Sequence, residues 1–213
     1  MFKGAISALI TPFKNGEIDS NKYQEFIQWQ IEEGIHGVVT CGTTGESATL
    51  NHNDHGKVFE LCLEVAKNKV SVIAGTGSNC TDEAIRLTKH AKKVGADGVL
   101  IATPYYNKPN QNGLYQHYKA IHDAVEIPII LYNIPGRSVV DMSDSLIADL
   151  AKLPNIVGLK DATGDISRVS SLRMLLENKE DFCLLSGEDA TALAFNAQGC
   201  LLYTSPSPRD KTV

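Results

Sequence analysis

Apolar, mostly β-branched residues collect in short runs at residues 5–10, 37–41, 70–74, 98–102, 127–132, 156–160 and 182–186. Within each run the apolar character is continuous, which predicts strands buried on both faces of a parallel sheet. The segments between them change to a helical period with one polar face, at 21–33, 54–67, 81–94, 114–124, 143–150 and 167–176. Cap-forming residues stand at their starts: Asp19 or Ser20, Asn53, Thr81, and Asp141 or Ser143. Gly34 and Gly95 follow helical segments where a left-handed residue ends a helix well. Strand alternating with helix predicts βα units around a parallel sheet.

Two architectures meet that pattern, a doubly wound open sheet and a (β/α)8 barrel. An open-sheet nucleotide binder wants GxGxxG after its first strand. The nearest match, Gly75-Thr76-Gly77-Ser78-Asn79-Cys80, lacks the third glycine and follows the third run. No phosphate loop with a Walker-type lysine is present either. In a barrel, chemistry gathers at the C-terminal ends of many strands, and the unusual residues of this chain do follow many different runs. The expected fold class is therefore α/β, a (β/α)8 TIM barrel. About seven strands are legible, one short of the eight that close such a barrel.

Composition narrows the function classes. The chain has 213 residues and a formal net charge of -5. An acidic chain without a basic, aromatic-studded patch predicts no nucleic-acid partner and no anionic membrane surface. No run reaches the ~18 apolar residues of a membrane span, and residues 5–10 are too short for a secretory leader's apolar region. The five cysteines are scattered without a CxxC pair, the usage of reduced thiols in a cytoplasmic protein.

The loops after the strands carry the candidate chemistry. Gly42-Thr43-Thr44-Gly45-Glu46-Ser47 sets paired hydroxyls among glycines, where backbone N–H groups can approach a small carboxylate. A polar βα turn would look the same. Thr103-Pro104-Tyr105-Tyr106-Asn107 offers either half-wet aromatic packing or a phenol for proton relay. Leu131-Tyr132-Asn133-Ile134-Pro135-Gly136-Arg137 ends a strand in a tyrosine, with an arginine further on whose fork suits a carboxylate. His52 and His55 have a helical metal-binding spacing but no evident third ligand, so a polar helix start is the expectation and no metal is called for.

Lys160 carries the most weight. It ends the apolar run at 156–160, and lysine is rarely buried without a reason. Desolvation disfavours its charged form, so its pKa falls toward neutrality and the free amine can attack a ketone.

Taken together these motifs resemble the dihydrodipicolinate synthase family of pyruvate-dependent Schiff-base aldolases. The likeness runs in register from Met1 to about Gly199. It takes in GTTGESATLNH from Gly42, AGTG from Ala74, TPYYNKP from Thr103, GLYQH from Gly113, LYNIPGR from Leu131 and GLKDATG from Gly158. The resemblance implies a cytoplasmic lyase of diaminopimelate and lysine biosynthesis. Its reaction would condense pyruvate with L-aspartate 4-semialdehyde through an imine on Lys160, with no cofactor beyond that covalent bond. Tyr132 would be the general acid/base, and Thr43 would link it to Tyr106, which in the family enters from a neighbouring subunit. Thr44 and Gly187 would hold pyruvate, and Arg137 the aldehyde's carboxylate. Ser47, Ala48, His52, His55, Asn79, Glu83 and Tyr105 match positions at which lysine inhibits some members. A homodimer or homotetramer follows from the same likeness. An aldolase for a keto-sugar acid such as N-acetylneuraminate is the alternative, although that branch usually lacks the arginine matching Arg137.

The pattern changes at residues 200–213, where Ser205-Pro206-Ser207-Pro208 is unsuited to a central strand. The expectation is a barrel domain over 1–199 and a non-family, disordered tail over 200–213. An eighth strand and a C-terminal helical domain would then be missing. An inactive, open-barrel fragment is the third reading that this leaves.

Overall fold

The computed structural model describes residues 2–176 and 181–201. The chain opens with β1 (Ile6–Ala8) and a small antiparallel hairpin, β2 (Phe13–Lys14) with β3 (Glu17–Ile18). Regular alternation follows: α1 (Ser20–Glu32), β4 (Gly37–Thr40), α2 (His52–Ala66), β5 (Ser71–Gly75), α3 (Thr81–Val94), β6 (Gly98–Ala102) and α4 (Gln111–Ala124). Then come β7 (Ile129–Asn133), a one-turn α5 (Pro135–Ser138), α6 (Asp144–Leu150), β8 (Ile156–Asp161), α7 (Ser167–Leu175), β9 (Cys183–Ser186) and α8 (Ala192–Ala197). Seven strands form one parallel sheet in the order β1-β4-β5-β6-β7-β8-β9, so each βα unit adds a strand beside the last. The result is an α/β parallel half-barrel of TIM-barrel type.

The continuous apolar runs divide between two clusters because successive side chains point to opposite faces. Val38, Val72, Val99, Ile129, Leu131, Leu159 and Leu184 face the helices. Ile6, Val39, Ile73, Leu100, Ile130, Tyr132 and Leu185 face inward. The inner cluster joins β1 at one edge of the sheet to β9 at the other, which is what a curved wall produces. Phe2 belongs to this cluster too and crowds Gly98, where an added Cβ would come within 2.7 Å of its ring.

Helix boundaries follow cap chemistry more than apolar period. Asp19 caps α1 and Ser143 caps α6 through their side chains. The start of α2 is corrected: Asn51, not Asn53, is the cap, and its side chain accepts from the N–H groups of Asn53 and Asp54. At α3 the cap position is Cys80, without a side-chain bond, and Thr81 lies inside the helix with its hydroxyl on His117 Nδ1 at 2.9 Å. Gly95 ends α3 at φ 100°, as expected of a left-handed C-cap.

Past α8, Leu201 forms an isolated parallel bridge to Leu185, and its N–H donates to the Leu184 carbonyl at 2.8 Å. The chain thus comes alongside β9, with Leu201 packed on the inner cluster. The tail expected over 200–213 falls, from residue 202 on, outside the described residues. Among the described residues no helix is long and apolar enough to cross a membrane.

Candidate active site

Tyr132 and Lys160 are register partners on the neighbouring strands β7 and β8, so both side chains leave the same face of the sheet at the same height. That face is the inner one. Lys160 is 4% exposed and its Nζ lies 4.4 Å from the centre of the Tyr132 ring. Burial pushes its amine down to about 7, opposed by the negative charge of Asp189. Half-neutral near pH 7, such an amine is a nucleophile in ordinary buffer. Burial likewise raises the Tyr132 phenol, against a hydrogen bond with the Thr43 side chain and the positive charge of Arg137. Glu188 pushes the phenol in the same direction as burial.

The remaining expected residues surround this pair unequally. Thr43 is exposed and Thr44 half-buried in the loop after β4. That loop turns sharply, with Cys41 at φ 51° and Glu46 at φ 57°, left-handed conformations that cost energy for non-glycine residues. Gly187, just after β9, donates its N–H to the Asp161 carbonyl and lies against the Lys160 stem. An added Cβ there would sit 2.7 Å from Lys160 Cε, so only glycine leaves the lysine room. Arg137 is exposed on α5, and Val139 after it takes φ 63°. Tyr106 stands apart: it is 87% exposed at φ 69°, away from the buried pair within this chain.

A cleft of about 360 Å³ runs from Thr43 and Arg137 outward over Ser47, Ala48, His52, His55, Glu83 and Tyr105. Asn79 is not in its lining; its carbonyl accepts from Asn107 Nδ2 at 3.0 Å. His55 is buried in the wall against Phe59, and burial lowers its pKa to about 4. His52 Nε2 is 3.4 Å from Glu83 Oε1, while Glu83 also accepts from the Ser78 hydroxyl. The cleft lining combines the polar and charged side chains of His52, Glu83 and Arg137 with the apolar Leu50 and Leu87. Among the described residues no group of three or more His, Cys, Asp or Glu could hold a metal ion.

Sequence reasoning passed over Asp189 and Glu188, the charges that act on Lys160 and Tyr132. Their only signal was two acids immediately after a strand and its glycine. It also passed over Arg168, buried at the start of α7 among Asp141, Asp144 and Asp161. The polar faces of separate helical segments hid that meeting.

Known proteins resemble this chain along most of its length. The sequence model described as the dihydrodipicolinate synthetase family matches residues 1–205. A 4-hydroxy-tetrahydrodipicolinate synthase of Rhodospirillum centenum is 65% identical over 208 residues, 96% of this chain and 71% of that protein. One from Parvibaculum lavamentivorans is 59% identical over the same shares. The chloride-inhibited dihydrodipicolinate synthase of Acinetobacter baumannii, solved in complex with pyruvate, superposes with TM-score 0.92 at 47% identity, covering 96% of this chain and 70% of that one. The enzyme of Cyanidioschyzon merolae, solved with lysine bound, gives TM-score 0.91 at 40% identity over 96% and 70%. A monomeric dihydrodipicolinate synthase variant gives 0.92 at 40% identity over 96% and 69%. These names do not favour the keto-sugar aldolase or the inactive-fragment reading. The chain belongs to the dihydrodipicolinate synthetase family.

Proposed function

We propose that this protein is a Schiff-base lyase that condenses pyruvate with L-aspartate 4-semialdehyde, the 4-hydroxy-tetrahydrodipicolinate synthase reaction of lysine and diaminopimelate biosynthesis. The observation that carries the reading is Lys160, buried beside Tyr132 with its amine held down to about 7. The neutral amine attacks the ketone carbon of pyruvate, and the carbinolamine loses water with Tyr132 as proton donor. The protonated imine is an electron sink, so the methyl group gives up a proton and becomes an enamine carbon. That carbon bonds to the aldehyde carbon of the second substrate. The substrate's amine then attacks the imine carbon, closing the ring and expelling Lys160, so one water is released overall. No metal or nicotinamide enters this sequence.

Thr44 and Gly187 are read as the pyruvate-carboxylate contacts and Arg137 as the receiver of the aldehyde's carboxylate at the mouth. Thr43 relays protons between Tyr132 and Tyr106. The exposure and left-handed backbone of Tyr106 fit a side chain presented to a second copy of the chain, in a dimer or tetramer. The cleft over Ser47, Ala48, His52, His55, Glu83 and Tyr105 is read, together with Asn79, as a lysine-binding inhibitory site. The sheet is read as seven strands of a (β/α)8 barrel domain supplied by residues 1–199. The reaction is placed in the cytoplasm, with its pathway.

The test is to incubate the chain with pyruvate and borohydride and to locate the adduct by peptide mass spectrometry. An adduct on Lys160, with product formed once the aldehyde is added, supports the reading. Labelling elsewhere, or none, refutes the assignment of the nucleophile.

A further inference from the structure

Arg168 is 9% exposed and faces three carboxylates from two segments, Asp141 and Asp144 ahead of and at the start of α6 and Asp161 at the end of β8. Its NH1 donates to Asp141 Oδ1 at 2.8 Å, and NH2 donates to the Met142 carbonyl at 2.6 Å and lies 3.0 Å from Asp144 Oδ1. Its Nε lies 3.4 Å from Asp161 Oδ2, longer than a normal hydrogen bond. The other oxygen of Asp161 accepts from the N–H and hydroxyl of Thr163. Asp141 Oδ1 also accepts from Asn133 Nδ2 at 2.7 Å, and Asn133 Oδ1 accepts from the Met142 N–H at 3.1 Å.

The placement of this network is the point. Asn133 directly follows Tyr132 on β7, and Asp161 directly follows Lys160 on β8; the two are register partners. Because side chains alternate along a strand, Asn133 and Asp161 leave the face opposite the reacting pair. Asn133 meets the segment 139–144 directly and Asp161 meets it through Arg168; that segment leads straight out of the α5 turn bearing Arg137. Ser138 ties that turn at its far side: its hydroxyl donates to the carbonyls of Ile134 and Val140 and accepts from Thr103.

We infer that Arg168 is a positioning residue for the aldehyde half-site: it anchors the segment 139–144 to the backs of β7 and β8, and so fixes where the Arg137 turn stands relative to Lys160 and Tyr132. A fork with donors on three nitrogens suits this task and an ammonium does not, since only a planar guanidinium reaches several acceptors at set angles. The inference rests on the proposed roles of Arg137 and Lys160.

The experiment compares the wild-type chain with Arg168→Met and with the milder Asp141→Asn, which keeps the shape at the hub but removes its charge. Steady-state kinetics are read for each substrate, together with borohydride trapping of pyruvate and backbone hydrogen exchange. The expected result for Arg168→Met is a KM for aspartate semialdehyde raised about tenfold, with pyruvate KM and trapping rate within about twofold of wild type. Asp141→Asn moves the same way, about threefold. The amides of Ser138, Val139 and Met142 exchange about tenfold faster, while those of α2 and α3 do not change. A fall in active fraction or thermal midpoint with both KM values unchanged overturns the inference, as does an equal loss of trapping and aldehyde binding. If Arg168→Met does not fold, Asp141→Asn decides by the same split. If the wild-type chain fails to trap pyruvate, the functional reading fails on its own, and the exchange of the 138–142 amides still decides whether Arg168 anchors that segment.

Discussion

Lys160 and Tyr106 are both expected members of one site and both stand at or beyond the C-terminal end of a strand, yet one is 4% exposed and the other 87%. Lys160 belongs to the barrel interior. Its environment is built by β7, β8 and the turn after β9 of a single chain: Tyr132 lies across it and Gly187 makes room for its stem. Tyr106 belongs to the rim, with Tyr105 and Arg137, where side chains wait on solvent or on whatever docks there. The difference separates two jobs. Making a nucleophile needs only burial, which one folded chain provides. Completing a proton relay and choosing a second substrate needs groups that remain accessible until partner or substrate arrives.

The comparison breaks first at its buried end. Lys160→Ala is expected to abolish the borohydride-trapped adduct and lower turnover by at least about a thousandfold. Its thermal midpoint at pH 6 should not fall by more than a cavity of that size implies, because below its pKa of about 7 the buried amine keeps its charge and its burial is a cost to stability. Residual trapping on another lysine in this variant would remove Lys160 from its role. Next in size is Tyr132→Phe, which keeps the ring beside Lys160 and deletes only the hydroxyl. A loss of about a hundredfold or more in condensation is expected from a missing general acid. A change under threefold would shift proton transfer to Thr43 or water.

At the rim the effects should be smaller and selective. Arg137→Ala is expected to raise the KM for aspartate semialdehyde by roughly tenfold, the scale of one lost charge-assisted contact, with pyruvate trapping unaffected. Equal loss on both substrates would make Arg137 part of the interior rather than the rim. The smallest effect is in pH. The rate of pyruvate trapping should rise severalfold through pH 7 as the Lys160 amine loses its proton, and level off above it. The same group acts on stability with a definite sign. Its folded pKa of about 7 lies below the ordinary 10.5, so between those values the unfolded chain binds the extra proton. The cost of burying Lys160 is therefore complete below pH 7 and is relieved as pH rises toward 10.5. A trapping rate flat from pH 6 to 8 would contradict the depressed pKa.

Much of this was legible in the order of residues alone. The seven apolar runs correspond to the strands of the parallel sheet within one or two positions, because a strand covered on both faces must be apolar throughout. Lys160 stood out for the same reason: a charge at the end of such a run has nowhere wet to go. Helix starts were less legible. The apolar period begins two residues late in α2 and three late in α4, whose first turns are polar and are defined by Asn51 and Asn110 side chains on backbone N–H groups. The hairpin at Phe13–Lys14 and Glu17–Ile18 and the one-turn helix at Pro135–Ser138 were not predicted, since pieces of two to four residues carry no period.

What the sequence by itself determined, then, is the alternation of strand and helix, the barrel-like class, and a lysine that had to be buried. These are consequences of covalent order and hydrophobic period, which act over a few residues. Tertiary structure alone decided that Lys160 would share its register with Tyr132, that Asp189 would partly offset the loss of its charge on burial, and that Tyr106 would be left facing outward. It also decided that Arg168 would meet Asp141, Asp144 and Asp161 behind the same two strands. Such meetings depend on how the sheet curves and which edges lie together, and no spacing within one segment encodes that.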